Sequence, residues 1–420
     1  MKQLEKFEDL LPVIRPGSRF VIHSAAAEPR WLEEELATWA PHIGDLEIYM
    51  LSPMMAVPFA SLAPAYLKIH AWVPGRGLRG VAGSDSIEYL RHPLSEIPDL
   101  YLTGSVSADV LFLHLSPPDQ YGRFSLGVSV DYMPAVLAAH PLVVAEVDPN
   151  MPRTFGDTFV TEDQIDYWFS TEEGPLVVPS PPIDEGERRI AQMVANMISD
   201  GAVLQTGVGS IPDAMLQELA ANPPRDLGIH TGIFTDGVVE LANTGKVTNA
   251  TKPQSYRKMA TAMAWGTPAL YKYLDSNEDV EFRSCSFTHN AKVLLEMEHL
   301  YAINSALQID LEGRVNAEYL NGRIISAPGG LPDFAAAAKS AAKGLSIVAL
   351  RSTSRDGKTS NILPAFGPDV PITLPPGELD FVVTEFGIAD LRSLSPSSWA
   401  RALIKVAHPD FRSELARSVA

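Results

Sequence analysis

Residues 202–245 constrain the fold more than any other stretch of this chain. They open with a short apolar run at 202–204, turn at Gly207-Val208-Gly209, and enter a helix at Pro212-Asp213. A second strand-like piece at 227–234 leads into another helix at Asp236. Strand, glycine turn, helix and strand form the unit from which parallel α/β sheets are assembled. Two glycines let the backbone approach a ligand with no Cβ in the way. The helix behind the turn offers unpaired N–H groups and a partial positive charge. Pro212 suits the opening of that helix, where a missing N–H costs little. Two readings of the turn stand side by side: a cradle for a phosphate or oxyanion, and a plain connector.

The remainder repeats the alternation. Residues 20–23 (FVIH), 46–51 (LEIYML), 67–72 (LKIHAW), 110–115 (VLFLHL) and 142–147 (LVVAEV) read as buried strands, with helical patterns between them such as 31–39. Residues 74–83 form a loop rich in Gly and Arg. Residues 177–187 (VVPSPPIDEGE) concentrate proline and acid between two periodic segments and read as a linker. A helix at 187–198 follows, with Ile190, Met193, Val194 and Met197 on one face. Strands are expected at 300–309, 346–350 and 381–384, an alanine-rich helix at 334–343, and a last helix at 397–407. At 420 residues the chain exceeds one typical core. The fold class is therefore α/β in two domains, 1–183 and 184–420, the second carrying the glycine turn.

Charge and cysteine usage narrow the function. An apolar share of 46% against 20% charged fits a soluble globular chain. A formal charge of -18 argues against nucleic acid and anionic membrane as partners. Cys285 is the sole cysteine, which rules out an internal disulfide and suits a reducing cytoplasm. No paired Cys/His spacing points to a metal site. The first 20 residues have neither the apolar run of a signal peptide nor the acid-poor character of a transit peptide. No window approaches the roughly 20 apolar residues of a spanning helix. The expectation is a cytoplasmic protein without metal.

Eight stretches together resemble the acetyl-CoA hydrolase/transferase family, the branch of CoA-transferases that includes 4-hydroxybutyrate CoA-transferase and butyryl-CoA:acetate CoA-transferase. They are 116–131 (SPPDQYGRFSLGVSVD), 147–159 (VDPNMPRTFGDTF), 205–212 (QTGVGSIP), 228–241 (GIHTGIFTDGVVEL), 303–315 (INSALQIDLEGRV), 327–334 (APGGLPDF), 383–391 (VTEFGIADL) and 407–411 (AHPDF). They occur in the family's order across nearly the whole chain. The resemblance implies two open α/β domains of the CoA-transferase fold with the site in the cleft between them, acyl-CoA as substrate, and a homodimer or homotetramer. It implies that Gln205, Gly207, Val208, Gly209 and Ser210 face the thioester and CoA, and that Gly329, Gly330 and the 352–358 loop hold the CoA arm. Lys358 in that loop reads either as a point charge for a phosphate or as an exposed lysine in a turn.

One position departs from the family. Its nucleophile is a glutamate in a His-Thr-Glu motif followed by Asp-Gly, which carries the acyl group as an anhydride and then CoA as a thioester. Here the motif reads His230-Thr231-Gly232-Ile233-Phe234-Thr235-Asp236-Gly237, with flanks matching on both sides. Gly232 has no side chain to form an anhydride. The expectation is an acyl-CoA enzyme that hydrolyses or otherwise transforms its thioester without ping-pong transfer, using backbone donors near Val208 and Gly330 for the oxyanion. The alternatives are a transferase using another carboxylate and a silent acyl-CoA-binding protein. Glu240 lies one to two turns along the next helix, distant for a substitute. His289, in Ser286-Phe287-Thr288-His289-Asn290, reads as a candidate base near its ordinary pKa or as a surface or loop histidine. His230 reads as facing the cleft or as hydrogen-bonded within the sheet. His23 and Glu28, in a shared HxxxxEP motif, read as shaping the fold or the site, and Glu385 reads as structural.

Overall fold

The computed structural model describes residues 1–79, 81 and 87–419, so part of the expected 74–83 loop lies outside the described residues. The chain forms two compact units. The first comprises Met1–Pro179, Ala260–Phe287 and Arg323–Gly329; the second comprises Ser180–Met259, Thr288–Gly322 and Gly330–Ala420.

The first unit is built on an eight-stranded sheet: β1 (Lys2–Gln3), β2 (Arg19–Ile22), β3 (Leu46–Leu51), β4 (Leu67–Val73), β5 (Ile87–Tyr89), β6 (Val110–Leu115), β7 (Leu142–Val147) and β8 (Tyr167–Ser170). Their spatial order is β1-β8-β7-β6-β2-β3-β4-β5. Every pairing is parallel. Central strands of such sheets are covered on both faces and read as unbroken apolar runs; all six residues of β6 are buried. Helix α1 (Arg30–Ile43) lays Leu32, Leu36 and Ala40 against Phe20, Ile22, Ile48 and Phe112.

The polar residues buried among these strands have assigned partners. His23 Nε2 donates to the carbonyl of Ser129 at 2.6 Å, and its Nδ1 accepts the N–H of His114 at 3.2 Å. That geometry fixes a neutral tautomer, and burial lowers its pKa to about 4. His114 Nε2 meets Asp148 at 3.0 Å, and Asp148 also accepts N–H groups from Asn150 and Gly174. Glu28 accepts the N–H of Met54. His23 and Glu28 thus tie strand exits together.

In the second unit, α2 (Glu185–Ala195) begins two residues before the expected start and takes in the end of the supposed linker. The cause is a capping box: Asp184 accepts the N–H of Glu187 at 2.9 Å, and Glu187 accepts that of Asp184 at 2.8 Å. The sheet comprises β9 (Val203–Thr206), β10 (Gly228–Ile229), β11 (Leu300–Ser305), β12 (Leu345–Ala349), β13 (Phe381–Thr384) and β14 (Gly387–Asp390), in the order β10-β9-β11-β12-β13-β14. Only the β13–β14 pairing is antiparallel. Helices α3 (Ser210–Ala221), α4 (Asp236–Ala242), α5 (Leu331–Ser340), α6 (Pro396–Val406) and α7 (Pro409–Arg417) belong to the same unit.

Three expectations are corrected. The strand at 227–234 is two short strands, Gly228–Ile229 and Ile233–Phe234, because the chain breaks at the His-Thr-Gly motif. The alanine-rich helix starts at Leu331, earlier than read, with Gly330 as its N-cap and Pro332 in its first turn. The helix at 396–406 is not the last, since His408 accepts the N–H of Asp410 and starts α7. Among the described residues no helix is long and apolar enough to cross a membrane.

Candidate active site

The second sheet reverses its strand order at β9: β10, next in sequence, lies on one side, and β11 on the other. In open α/β sheets ligands bind outside the carboxyl ends of the strands at such a reversal. The glycine turn leaves the sheet there. Gly207 donates its N–H to the carbonyl of Ile303 at 2.8 Å. A Cβ on Gly207 would stand 3.1 Å from Asn304 Oδ1. Gly209 has φ +124°, a conformation side chains disfavour, and opens α3 as its N-cap.

The side chains around the turn are engaged within the protein. Gln205 and Asn304, both buried, exchange amide hydrogen bonds of 3.1 and 2.8 Å. The Ser210 hydroxyl donates to the carboxylate of Glu187 on α2. Val208 points outward, 40% exposed. Gln205 and Ser210 therefore shape the loop, and what the turn offers a ligand is backbone.

Gly232 comes to the same edge. The register Val203↔Gly228 and Leu204↔Ile229 is extended by His230, whose N–H donates to the carbonyl of Leu204 at 3.0 Å. The Thr231 hydroxyl then donates to the carbonyl of Thr206 at 3.1 Å. These bonds set Gly232 alongside Gly207 where both strands end. His230 is fully buried, and its Nε2 donates to the carbonyl of Thr288 at 3.0 Å. Its ring is thus hydrogen-bonded, to a residue outside the sheet.

His289 is neither a surface residue nor a histidine of ordinary pKa. Its side chain is 1% exposed, and burial lowers its pKa to about 3. The ring packs edge-on to Phe334 of α5 at 4.8 Å. Nδ1 lies 2.8 Å from the hydroxyl of Thr288. Nε2 has no hydrogen-bond partner among the described residues and sits between two glycines. A Cβ built on Gly232 would lie 3.0 Å from it, and one on Gly330 2.4 Å. The imidazole thus fills space that bare backbone leaves free at both positions. At neutral pH it is uncharged and a feeble base.

The other residues singled out in sequence lie as follows. Gly329 belongs to the first unit, where its carbonyl accepts the N–H of Leu94 at 3.0 Å; its φ is +57°. Lys358 projects from an exposed turn, its side chain 81% exposed and its ammonium 3.8 Å from Asp356. Glu385 accepts both the N–H and the hydroxyl of Ser352, bracing the exits of β12 and β13. Glu240 is solvent-exposed on α4. Among the described residues no group of three or more His, Cys, Asp or Glu side chains is arranged to hold a metal ion. Sequence reading missed Thr288, Asn304 and Phe334. Thr288 is the immediate neighbour of His289, and Phe334 closes the 327–334 motif, so both had a signal in their surroundings.

The acetyl-CoA hydrolase/transferase N-terminal domain matches residues 1–179 and the C-terminal domain residues 266–419. The chain is 34% identical over 415 residues to a 4-hydroxybutyrate coenzyme A transferase of Clostridium kluyveri, covering 99% of this chain and 96% of that protein. The fold matches RipA from Yersinia pestis with a TM-score of 0.92 at 30% identity, over 99% of this chain and 96% of RipA. It matches a 4-hydroxybutyrate CoA-transferase of Porphyromonas gingivalis with a TM-score of 0.83 at 29% identity, over 100% and 97% of the two chains. With both domains matched in order, the chain belongs to the acetyl-CoA hydrolase/transferase family.

Proposed function

We propose that this protein acts on an acyl-CoA thioester by a route without a glutamyl intermediate, hydrolysis first among such routes. The observation that carries the reading is Gly232: the residue at the motif's centre has no side chain, and His289 Nε2 stands 3.0 Å from where its Cβ would be. The relatives act on CoA thioesters, and the backbone features suited to such a substrate are retained. In this reading the thioester lies over the carboxyl edge of β9. The Gly207-Val208-Gly209 turn and Gly330 face its carbonyl, and Lys358 meets a CoA phosphate.

Preorganised backbone N–H groups at a developing oxyanion are worth about 3–4 kcal/mol each in acyl transfer. They act on any tetrahedral intermediate, whatever the nucleophile. Water then attacks the carbonyl carbon, the carbon–sulfur bond breaks, and the departing thiolate takes up the proton that water gives up. The products are the free acid and CoA thiol. Glu240 is exposed on α4 and offers no replacement carboxylate at Gly232.

The test is a panel of acyl-CoAs with and without labelled acetate. Thiol release over many turnovers, with no label entering acyl-CoA, is the expected result. Label exchange at enzymatic rates would overturn the reading. Calorimetric binding of the CoA esters without thioester loss would instead make the protein a silent acyl-CoA binder.

A further inference from the structure

We infer that Nε2 of His289 donates a hydrogen bond to the carbonyl oxygen of the bound thioester, which makes His289 a catalytic residue; the inference rests on the acyl-CoA reading above. Three features of the structure lead there. The ring tip lies between Gly232 and Gly330, at the carboxyl edge of β9 where the strand order reverses. Gly330 is partly exposed and caps α5, so a carbonyl laid over its backbone comes against the ring tip.

The second observation is that Nε2 is buried with no protein partner. Buried polar atoms are almost always paired, and the exceptions ask for an explanation. A ligand oxygen supplies the missing acceptor. Hydrogen bonds of this kind are often incomplete before substrate arrives and tighten in the complex.

The third is the other ring nitrogen. The Thr288 hydroxyl stands 2.8 Å from Nδ1, and His230 Nε2 holds the Thr288 carbonyl at 3.0 Å. A hydroxyl that donates to Nδ1 leaves the ring proton on Nε2, between Gly232 and Gly330. Burial keeps the ring neutral, so it polarises the carbonyl without giving up its proton. As water attacks, the carbonyl π pair moves onto oxygen and Nε2–H stabilises that charge. The pair returns when the carbon–sulfur bond breaks, and the imidazole is unchanged. His230 is a titratable residue close to this ring, and both histidines pack edge-on to Phe334.

The experiment uses the full chain labelled with 15N-histidine, and a ketone analogue of acetyl-CoA in which methylene replaces the thioester sulfur. The His289 ring should read as neutral with its proton on Nε2 from about pH 5 to about pH 8. The analogue should shift the Nε2 resonance. His289→Phe should lower kcat by ~100-fold or more with little change in KM, and His289→Gln, which restores an N–H, should recover part of the loss. A proton on Nδ1, an unmoved Nε2 resonance on analogue binding, or a His289→Phe enzyme with wild-type kcat would each overturn the inference. The two resonance measurements need only the wild-type protein, so they decide even if the variants fold poorly. A shifted Nε2 in a protein that turns over no thioester would support the contact while ending the hydrolytic reading.

Discussion

Gly232, Gly330 and His289 form one packing unit, and each limits what the other two can be. Gly330 has φ −93°, a conformation any residue adopts, so its requirement for glycine comes from the ring 2.4 Å from a Cβ there and not from its backbone. Gly330→Ala should therefore cost about 1–3 kcal/mol, as forced overpacking does. In a His289→Ala background most of that cost should vanish, because contacting residues couple. Urea unfolding of the two single variants and the double reads the coupling, and additive costs would contradict it. The same contact bears on Gly232→Glu. The new side chain would have to displace His289 Nε2, which stands 3.0 Å from its Cβ. Gly232→Glu alone should exchange labelled acetate poorly, and Gly232→Glu with His289→Ala should exchange it measurably faster. Equal rates would show that the ring does not obstruct the position. The glycine was legible because its motif flanks it on both sides. His289 was legible as a candidate, but its contact with Gly232 was not, because 57 residues separate the two in the chain and local periodicity carries no signal for such a contact.

At the scale of elements, α1 meets β7 through carboxyl groups taken out of water. Glu28 precedes the helix, Glu33 lies in its first turn, and Glu146 accepts the N–H of Leu32 at 2.9 Å. Burial pushes Glu28 and Glu146 up to about 8 and Glu33 well above the carboxylate range, with the neighbouring carboxylates adding to the effect on Glu33. Raised folded-state values mean that the native protein binds more protons than the unfolded chain between about pH 4.3 and about pH 8. These groups should make stability fall as pH rises through that window. The melting temperature should be lower at about pH 9 than at about pH 6, and Glu146→Gln, which keeps an acceptor for Leu32, should reduce the drop. A melting temperature that holds or rises would contradict this. The strands themselves were legible: the runs at 46–51, 110–115 and 142–147 coincide with β3, β6 and β7. The glutamates were not, since Glu33 in WLEEELATW cannot be told from exposed Glu34 or half-buried Glu35 without knowing what covers it.

At the scale of the molecule, the alternation of strands and helices along the sequence already implies two α/β halves. Invisible was the return of Ala260–Phe287 and Arg323–Gly329 to the first unit, which separates neighbours in the chain such as Gly329 and Gly330. Such returns depend on contacts across long sequence separations, for which local periodicity carries no signal. The family's members act on CoA thioesters, and Gly232 is the residue on which the proposed route for this chain turns. The direct measurement is intact mass after quenching the protein during turnover of acetyl-CoA, with and without borohydride. The expected result is free CoA thiol accumulating while the protein keeps its unmodified mass. A protein carrying CoA or an acyl group on a carboxylate would contradict it.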